Sequence, residues 1–202
     1  MTYWGRAITF FPLFHISLII GTGVLFICNP TWIAFLLVIF ILYVFPLLIF
    51  RLHNKYIPLK EGKSRLDTPT YSPWWTAYHF QVLFNTFSCL EAFLRLIPGA
   101  YSFWLRRWGS KIGRNVQWTP LVEIVDRSLI EVGDRVIFGH KVIIVSHVIT
   151  RKESGMTVLY LKKVRIGSNV FVGAGSRFGP GTVISPDQII PFQTLLTINK
   201  KI

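Results

Sequence analysis

Charge is missing from the first quarter of this 202-residue chain: between Ala7 and Phe50 there is no Lys, Arg, Asp or Glu. Every acidic residue, and every basic one except Arg6, follows Phe50. A surface helix of a soluble domain needs a polar face, so so long an uncharged stretch excludes that reading. Cysteine is scarce as well: Cys28 and Cys89 are the only two, both in or beside apolar segments, which excludes a disulfide framework or a cysteine metal site. Acid is the third shortage, with nine Asp and Glu against 22 Lys and Arg and a formal net charge of +13. No helix-turn-helix, zinc-finger or RNP-type pattern accompanies that excess, so nucleic acid is not an expected partner. Basic residues beside apolar runs instead serve orientation and contact with anionic lipid head groups.

The uncharged region holds two runs, Ala7 to Cys28 and Trp32 to Phe50, separated by Asn29, Pro30 and Thr31. Each is close to the roughly 20 apolar residues that cross a hydrocarbon core of about 30 Å. So short a break predicts a transmembrane helical hairpin with both outer ends on one side. Arg6 precedes the pair, and Arg51, Lys55, Lys60, Lys63 and Arg65 follow it, which places those ends and the C-terminal half on the cytoplasmic face of an inner or plasma membrane. A cleaved signal peptide is the competing reading, but the first run exceeds an h-region of about 7–15 residues and lacks a small-residue cleavage site. His15 lies inside the first run, where an ionisable group either marks function or is satisfied by a neighbouring helix. Packing is its expected role.

Four segments are expected: a hairpin over 1–52, a linker over 53–72, interfacial or amphipathic helices over 73–110, and a repeat domain over 111–202. The linker, "HNKYIPLKEGKSRLDTPTYS", is polar and carries prolines. The third segment is rich in Trp, Tyr and Arg and broken by Pro98 and Gly99, a composition suited to helices at a membrane interface or to a helix pair capping the next domain.

From Lys111 an aliphatic residue followed by a small one returns every sixth position. Ile112-Gly113, Trp118 and Ile124 open the series; the frame slips by two after "SLIE", and Val132-Gly133, Phe138-Gly139 and Ile144-Val145 follow. After the interruption "TRKESGMTVLYLKKV" the beat resumes at Ile166-Gly167, Val172-Gly173, Phe178-Gly179, Ile184-Ser185 and Ile190-Pro191. Neither a helix nor a strand repeats every six residues. Three short strands joined by tight turns make a triangular coil of about 18 residues, and stacked coils bury the leading aliphatic residues against one another. About five such coils are expected, with small residues at the corners where Gly relieves unusual dihedrals. The fold class read from this is a β-solenoid, a parallel β-helix preceded by a transmembrane hairpin and interfacial helices. Its flat faces call for association, and a triangular prism suits a homotrimer.

The segments "IGRNV", "IEVGDRVIFGHKVIIVSH" and "VRIGSNVFVGAGSRFGPGTVI" resemble the left-handed parallel β-helix acyltransferases of the hexapeptide-repeat superfamily. With the membrane-associated region before them they are also similar to the terminal transferase-like regions of some nonribosomal peptide synthetases, of the poly-lysine synthetase sort, and to polysaccharide O-acetyltransferases. The likeness covers about Pro73 to Asp187.

That resemblance implies a trimer with sites in the clefts between β-helices, an acyl-CoA or acyl carrier protein thioester as co-substrate, and a histidine as general base. His147, in "IIVSHVI", matches the base, and His140, in "FGHKV", is its rival. An imidazole with an ordinary pKa near ~6.5 suits the task. The base needs a carboxylate or carbonyl to fix its tautomer. Glu123, Asp126, Glu131 and Asp134 are available, and Asp126 stands where the frame slips, although Asp also caps turns. "VGAGS" resembles the family's turn near the acyl donor, so the backbone of Gly173 and Ala174 is expected to meet the thioester oxygen. Arg177, Lys200 and Lys201 are the cations available to coenzyme A phosphates.

The expected activity is a membrane-anchored O- or N-acyltransferase that moves an acetyl or longer acyl group to a hydroxyl or amine of a lipid-linked or membrane-proximal acceptor. The alternative is a non-catalytic trimer that docks another membrane enzyme. No metal is expected: a zinc enzyme on this scaffold needs three converging imidazoles, and the repeat domain has only His140 and His147.

Overall fold

A computed structural model describes residues 2–202. The chain forms two compact units. The first runs to Leu59 and resumes over Thr68–Leu83; the second comprises Lys60–Asp67 and Phe84–Ile202.

In the first unit, helices α1 (Tyr3–Ile8) and α2 (Phe11–Cys28) run on from each other, and Thr31 caps α3 (Trp32–Ile39) by accepting from Ala34 N. A π-helical turn over Phe40–Val44 leads into α4 (Phe45–Tyr56). The two resulting rods, Tyr3–Cys28 and Trp32–Tyr56, are long and apolar enough to cross a membrane. They leave large apolar side chains such as Phe14, Ile20, Ile27, Ile33 and Leu36 uncovered. Helix α5 (Pro73–Thr86) begins in this unit and is tied to it by a hydrogen bond from Trp75 Nε1 to Gly5 O (3.2 Å) and an edge-on contact of Phe80 with Phe11.

The π turn has a local cause. Phe45 N bonds to Phe40 O, five residues back, and the next donor in that series would be Pro46, which has no N–H. Ile41 O is thereby left without its helical partner, and His15 Nε2 donates to it at 2.8 Å. The expected packing role of His15 thus takes the form of backbone repair.

The second unit is a parallel β-helix. Its three faces are four-stranded parallel sheets in which Ile112, Val132, Ile166 and Ile184 stack in one register. Trp118, Phe138, Val172 and Ile190 stack on the second face, and Ile124, Ile144, Phe178 and Leu196 on the third. Every leading residue of the six-residue beat is buried except Trp118, which is half-buried and lies flat on Phe138. There are four coils rather than about five, because the interruption leaves the prism as an antiparallel hairpin, His147–Arg151 with Thr157–Leu161. Part of the expected linker, Gly62–Arg65, adds a third strand to that hairpin.

Helices α6 (Cys89–Leu96) and α7 (Ala100–Arg107) close the first coil. Tyr101 meets Trp118 edge-on, Trp118 Nε1 donates to Ser102 Oγ (2.8 Å), and Arg106 donates to Ile112 O and Gly113 O at 2.8 and 2.7 Å. Those carbonyls lie at the end of a ladder, where a side-chain donor replaces the missing coil.

The small residue after each leading position has a different cause from the one expected. A Cβ on Gly167 would lie 2.5 Å from Pro186 N, and one on Gly173 would lie 2.6 Å from Phe192 N. Glycine is needed there for close stacking of coils. The left-handed backbone falls two residues later, at Asn115, Arg135, Asn169, Asp187 and their equivalents, three places after the lead. Two corners break this rule: Arg127 follows Ile124 and His147 follows Ile144 by three, and neither has a positive φ.

Candidate active site

Those two irregular corners lie one above the other on the edge between the third and first faces, and they bring together two of the residues singled out in the sequence. His147 Nδ1 lies 2.7 Å from Asp126 Oδ2, with the histidine side chain 15% exposed and the aspartate 4%. The same Oδ2 accepts from Ser146 N (3.1 Å), while Ser146 Oγ donates to Leu129 O (2.8 Å). An ionised carboxylate can only accept, so Nδ1 carries the proton and the lone pair of the neutral ring is on Nε2. This is the tautomer a general base requires.

Two of the other three carboxylates are committed elsewhere. Glu131 pairs with Lys111, Lys163 and Arg165 at 3.4, 3.3 and 3.2 Å. Although partial burial raises its pKa, the hydrogen bonds and charges of Lys163 and Lys111 prevail and hold it below the ordinary value. Asp134 Oδ1 accepts from Arg114 N (2.7 Å), and Glu123 is exposed at the edge of the third face.

The Asp126 turn rests on a buried ionic cluster that sequence reasoning missed. Arg127 is 1% exposed, with Nε 2.7 Å from Glu91 Oε1 and Nη1 2.7 Å from Asn85 Oδ1. Its backbone O accepts from Ser110 Oγ. Glu91 also meets Arg95 Nη2 at 3.6 Å, and Arg95 Nη2 donates to Val122 O (2.6 Å). Asn85 Nδ2 donates to Val125 O (3.3 Å). The loop before Asp126 is therefore held by α5 and α6 through side chains on both sides. Burial and then the nearby Glu91 carboxylate push the Tyr101 phenol, 3.4 Å from Glu91, above its ordinary pKa. A basic residue directly after Asp126, inside the frame slip, was the available signal.

The remaining candidates lie on other parts of the prism. His140 is exposed on the edge between the second and third faces, and its carbonyl accepts from Gly175 N (2.8 Å). Gly173 and Ala174 share that edge, so His140 is brought to them and not to Asp126. Gly173 N is spent on Ile190 O (2.8 Å), which leaves Ala174 as the backbone donor of the pair. Arg177 is exposed on the third face beside Leu195 and Ile143, and Lys200 and Lys201 are exposed in the last coil.

No family profile and no curated protein matches the chain. Among solved structures it is similar to a hexapeptide-repeat containing acetyltransferase from Vibrio cholerae, with 15% identity, 60% of this chain and 87% of that chain covered, and a TM-score of 0.38. It is also similar to serine acetyltransferase isoform 3 from Entamoeba histolytica, solved in complex with cysteine, with 14% identity, 82% and 73% covered, and a TM-score of 0.20.

Proposed function

We propose that the protein is a membrane-anchored acyltransferase that moves an acetyl or longer acyl group from an acyl-CoA or acyl carrier protein thioester to a hydroxyl or amine. The observation that carries this reading is the 2.7 Å bond from His147 Nδ1 to Asp126 Oδ2 at an irregular corner of a β-helix. His147 Nε2 takes the proton of the acceptor as its oxygen or nitrogen attacks the thioester carbonyl. The negative charge that develops on the carbonyl oxygen is met by a backbone N–H, for which Ala174 is the candidate. Collapse expels the thiolate, which recovers the proton from His147, and Asp126 steadies the imidazolium in between.

The edge with His147 and the edge with Ala174 are separated by a whole face of the prism, so one chain cannot close this site alone. A homotrimer supplies the second edge from a neighbour. Exposed Ile137, Phe171 and Ile189, the last 77% exposed, form an apolar stripe on the second face that favours such packing. Exposed Arg177, Lys200 and Lys201 suit the phosphates of coenzyme A. Two apolar rods flanked by cations support membrane anchoring with the β-helix on the cytoplasmic side, and hence a lipid-linked or membrane-proximal acceptor.

The test is hydrolysis of acetyl-, octanoyl- and palmitoyl-coenzyme A by the detergent-solubilised protein, with and without a total lipid extract, against His147→Ala. Cleavage stimulated by lipid and lost in the variant supports the enzyme and brackets both substrates. Turnover retained by His147→Ala excludes this base, and absence of both cleavage and donor binding favours a docking protein.

A further inference from the structure

Outside the β-helix, α1, α2, α4 and the start of α5 in the first unit line an open cavity of about 940 Å³. Its walls are mostly apolar, including Phe10, Phe14, Leu52 and Phe80, and its volume lies at the upper end of the roughly 300–1,000 Å³ typical of ligand sites. Three polar side chains interrupt the wall in a chain of hydrogen bonds: His53 Nε2 to Tyr71 OH at 2.6 Å, and Tyr71 OH to Thr76 Oγ1 at 2.6 Å.

One atom of this relay is left over. His53 Nδ1 is buried and has no hydrogen-bond partner. The relay engages only Nε2, so Nδ1 is left unmatched whichever way its protons point. The charges of the unit point to an anionic partner. It contains Arg6, Arg51 and Lys55 and not one acidic residue. Each of these cations is the chain neighbour of a cavity-lining residue, Ala7, Leu52 and Tyr56 respectively, and Lys55 Nζ sits 5.8 Å from the centre of the Tyr56 ring. An apolar groove beside uncompensated cations complements an amphiphile with a negative head.

We propose that this cavity is a binding site for one lipid with a net anionic phosphate head group, whose hydrocarbon chain lies against Phe10, Phe14, Leu52 and Phe80. Arg6, Arg51 and Lys55 balance the phosphate. The site rests on the membrane reading above and is independent of acyl transfer.

The experiment reconstitutes the full chain in nanodiscs of phosphatidylglycerol and phosphatidylcholine with matched chains, and counts the lipid retained on release by native mass spectrometry. One phosphatidylglycerol per chain is expected, retained about tenfold over phosphatidylcholine, with Arg51→Gln and Lys55→Gln each lowering retention roughly fivefold. Ala7→Trp, which fills the cavity, should abolish it. A second readout needs no cavity variant: bromine-labelled phosphatidylglycerol should quench the fluorescence of Trp4, which lines the cavity, more strongly than the labelled phosphatidylcholine, with Trp4→Phe giving the background. Equal retention of the two lipids, equal quenching by them, or retention unchanged by Ala7→Trp identifies ordinary annular lipid and overturns the site. A chain that stays dispersed without detergent overturns the membrane reading itself, so the two failures are distinct.

Discussion

His15 Nε2 donates to the carbonyl of Ile41, 26 residues away, at 2.8 Å, and that carbonyl is the one Pro46 cannot serve. The bond exists because a proline follows a π turn, so the two features are coupled. His15→Leu should cost about 1–3 kcal/mol in detergent-solubilised protein, the usual penalty for a buried acceptor left unpaired. In a Pro46→Ala background, where an N–H is restored, the loss should be clearly smaller. Thermal unfolding of the four proteins of this cycle measures the coupling, and strict additivity would count against it.

Asp126→Asn keeps the shape of the His147 partner but lets an amide donate where only acceptance orients the ring correctly. Transfer should fall by about 10²–10⁴-fold, the range of general-base catalysis, while circular dichroism and oligomeric size stay unchanged. His140→Ala, on a different edge, should retain activity within a few-fold if it contributes no base.

Removal of one member of the Arg127, Glu91 and Arg95 cluster leaves a buried charge uncompensated. Glu91→Gln and Arg127→Met should each destabilise the second unit by about 3–5 kcal/mol. Changing Glu91 to Gln and Arg127 to Met together should recover part of that loss. Urea unfolding followed by tryptophan fluorescence reports it, since Trp104 and Trp108 are buried in this unit.

Gly167→Ala places a methyl 2.5 Å from Pro186 N, so the coils must separate. A loss of about 1–3 kcal/mol or more is expected. Gly21→Ala, in α2 with nothing within 4 Å, should be neutral or stabilising by up to about 1 kcal/mol.

Glu131 has a folded pKa held below its ordinary value. Its contribution is therefore complete above the ordinary carboxylate pKa, about 4.3, and disappears as the pH falls through the lower, folded value. Glu131→Gln should be less stable than the parent at neutral pH, by about 0.5–1 kcal/mol for so solvent-screened a cluster. The difference should vanish in acid, and parallel stability curves from pH 2 to 7 would exclude the linkage.

Much of this molecule is local information. The two apolar rods are legible because burial in hydrocarbon acts on every residue of a continuous run. The β-helix is legible because each leading residue stacks on an equivalent about one coil away, so the same selection repeats along the chain. Even the candidate site leaves a trace: Asp126 stands where the frame slips and His147 where the prism opens. The tertiary structure decided what has no period. It chose Asp126 among four carboxylates, joined Arg127 to Glu91 across 36 residues, and drew Gly62–Arg65 from the linker into a sheet. It also moved the reason for glycine from dihedral freedom to coil spacing. A repeat records what each coil must do for the next, whereas single ion pairs, a proline's missing donor and an unmatched histidine nitrogen depend on which distant groups packing brings within 3 Å or so.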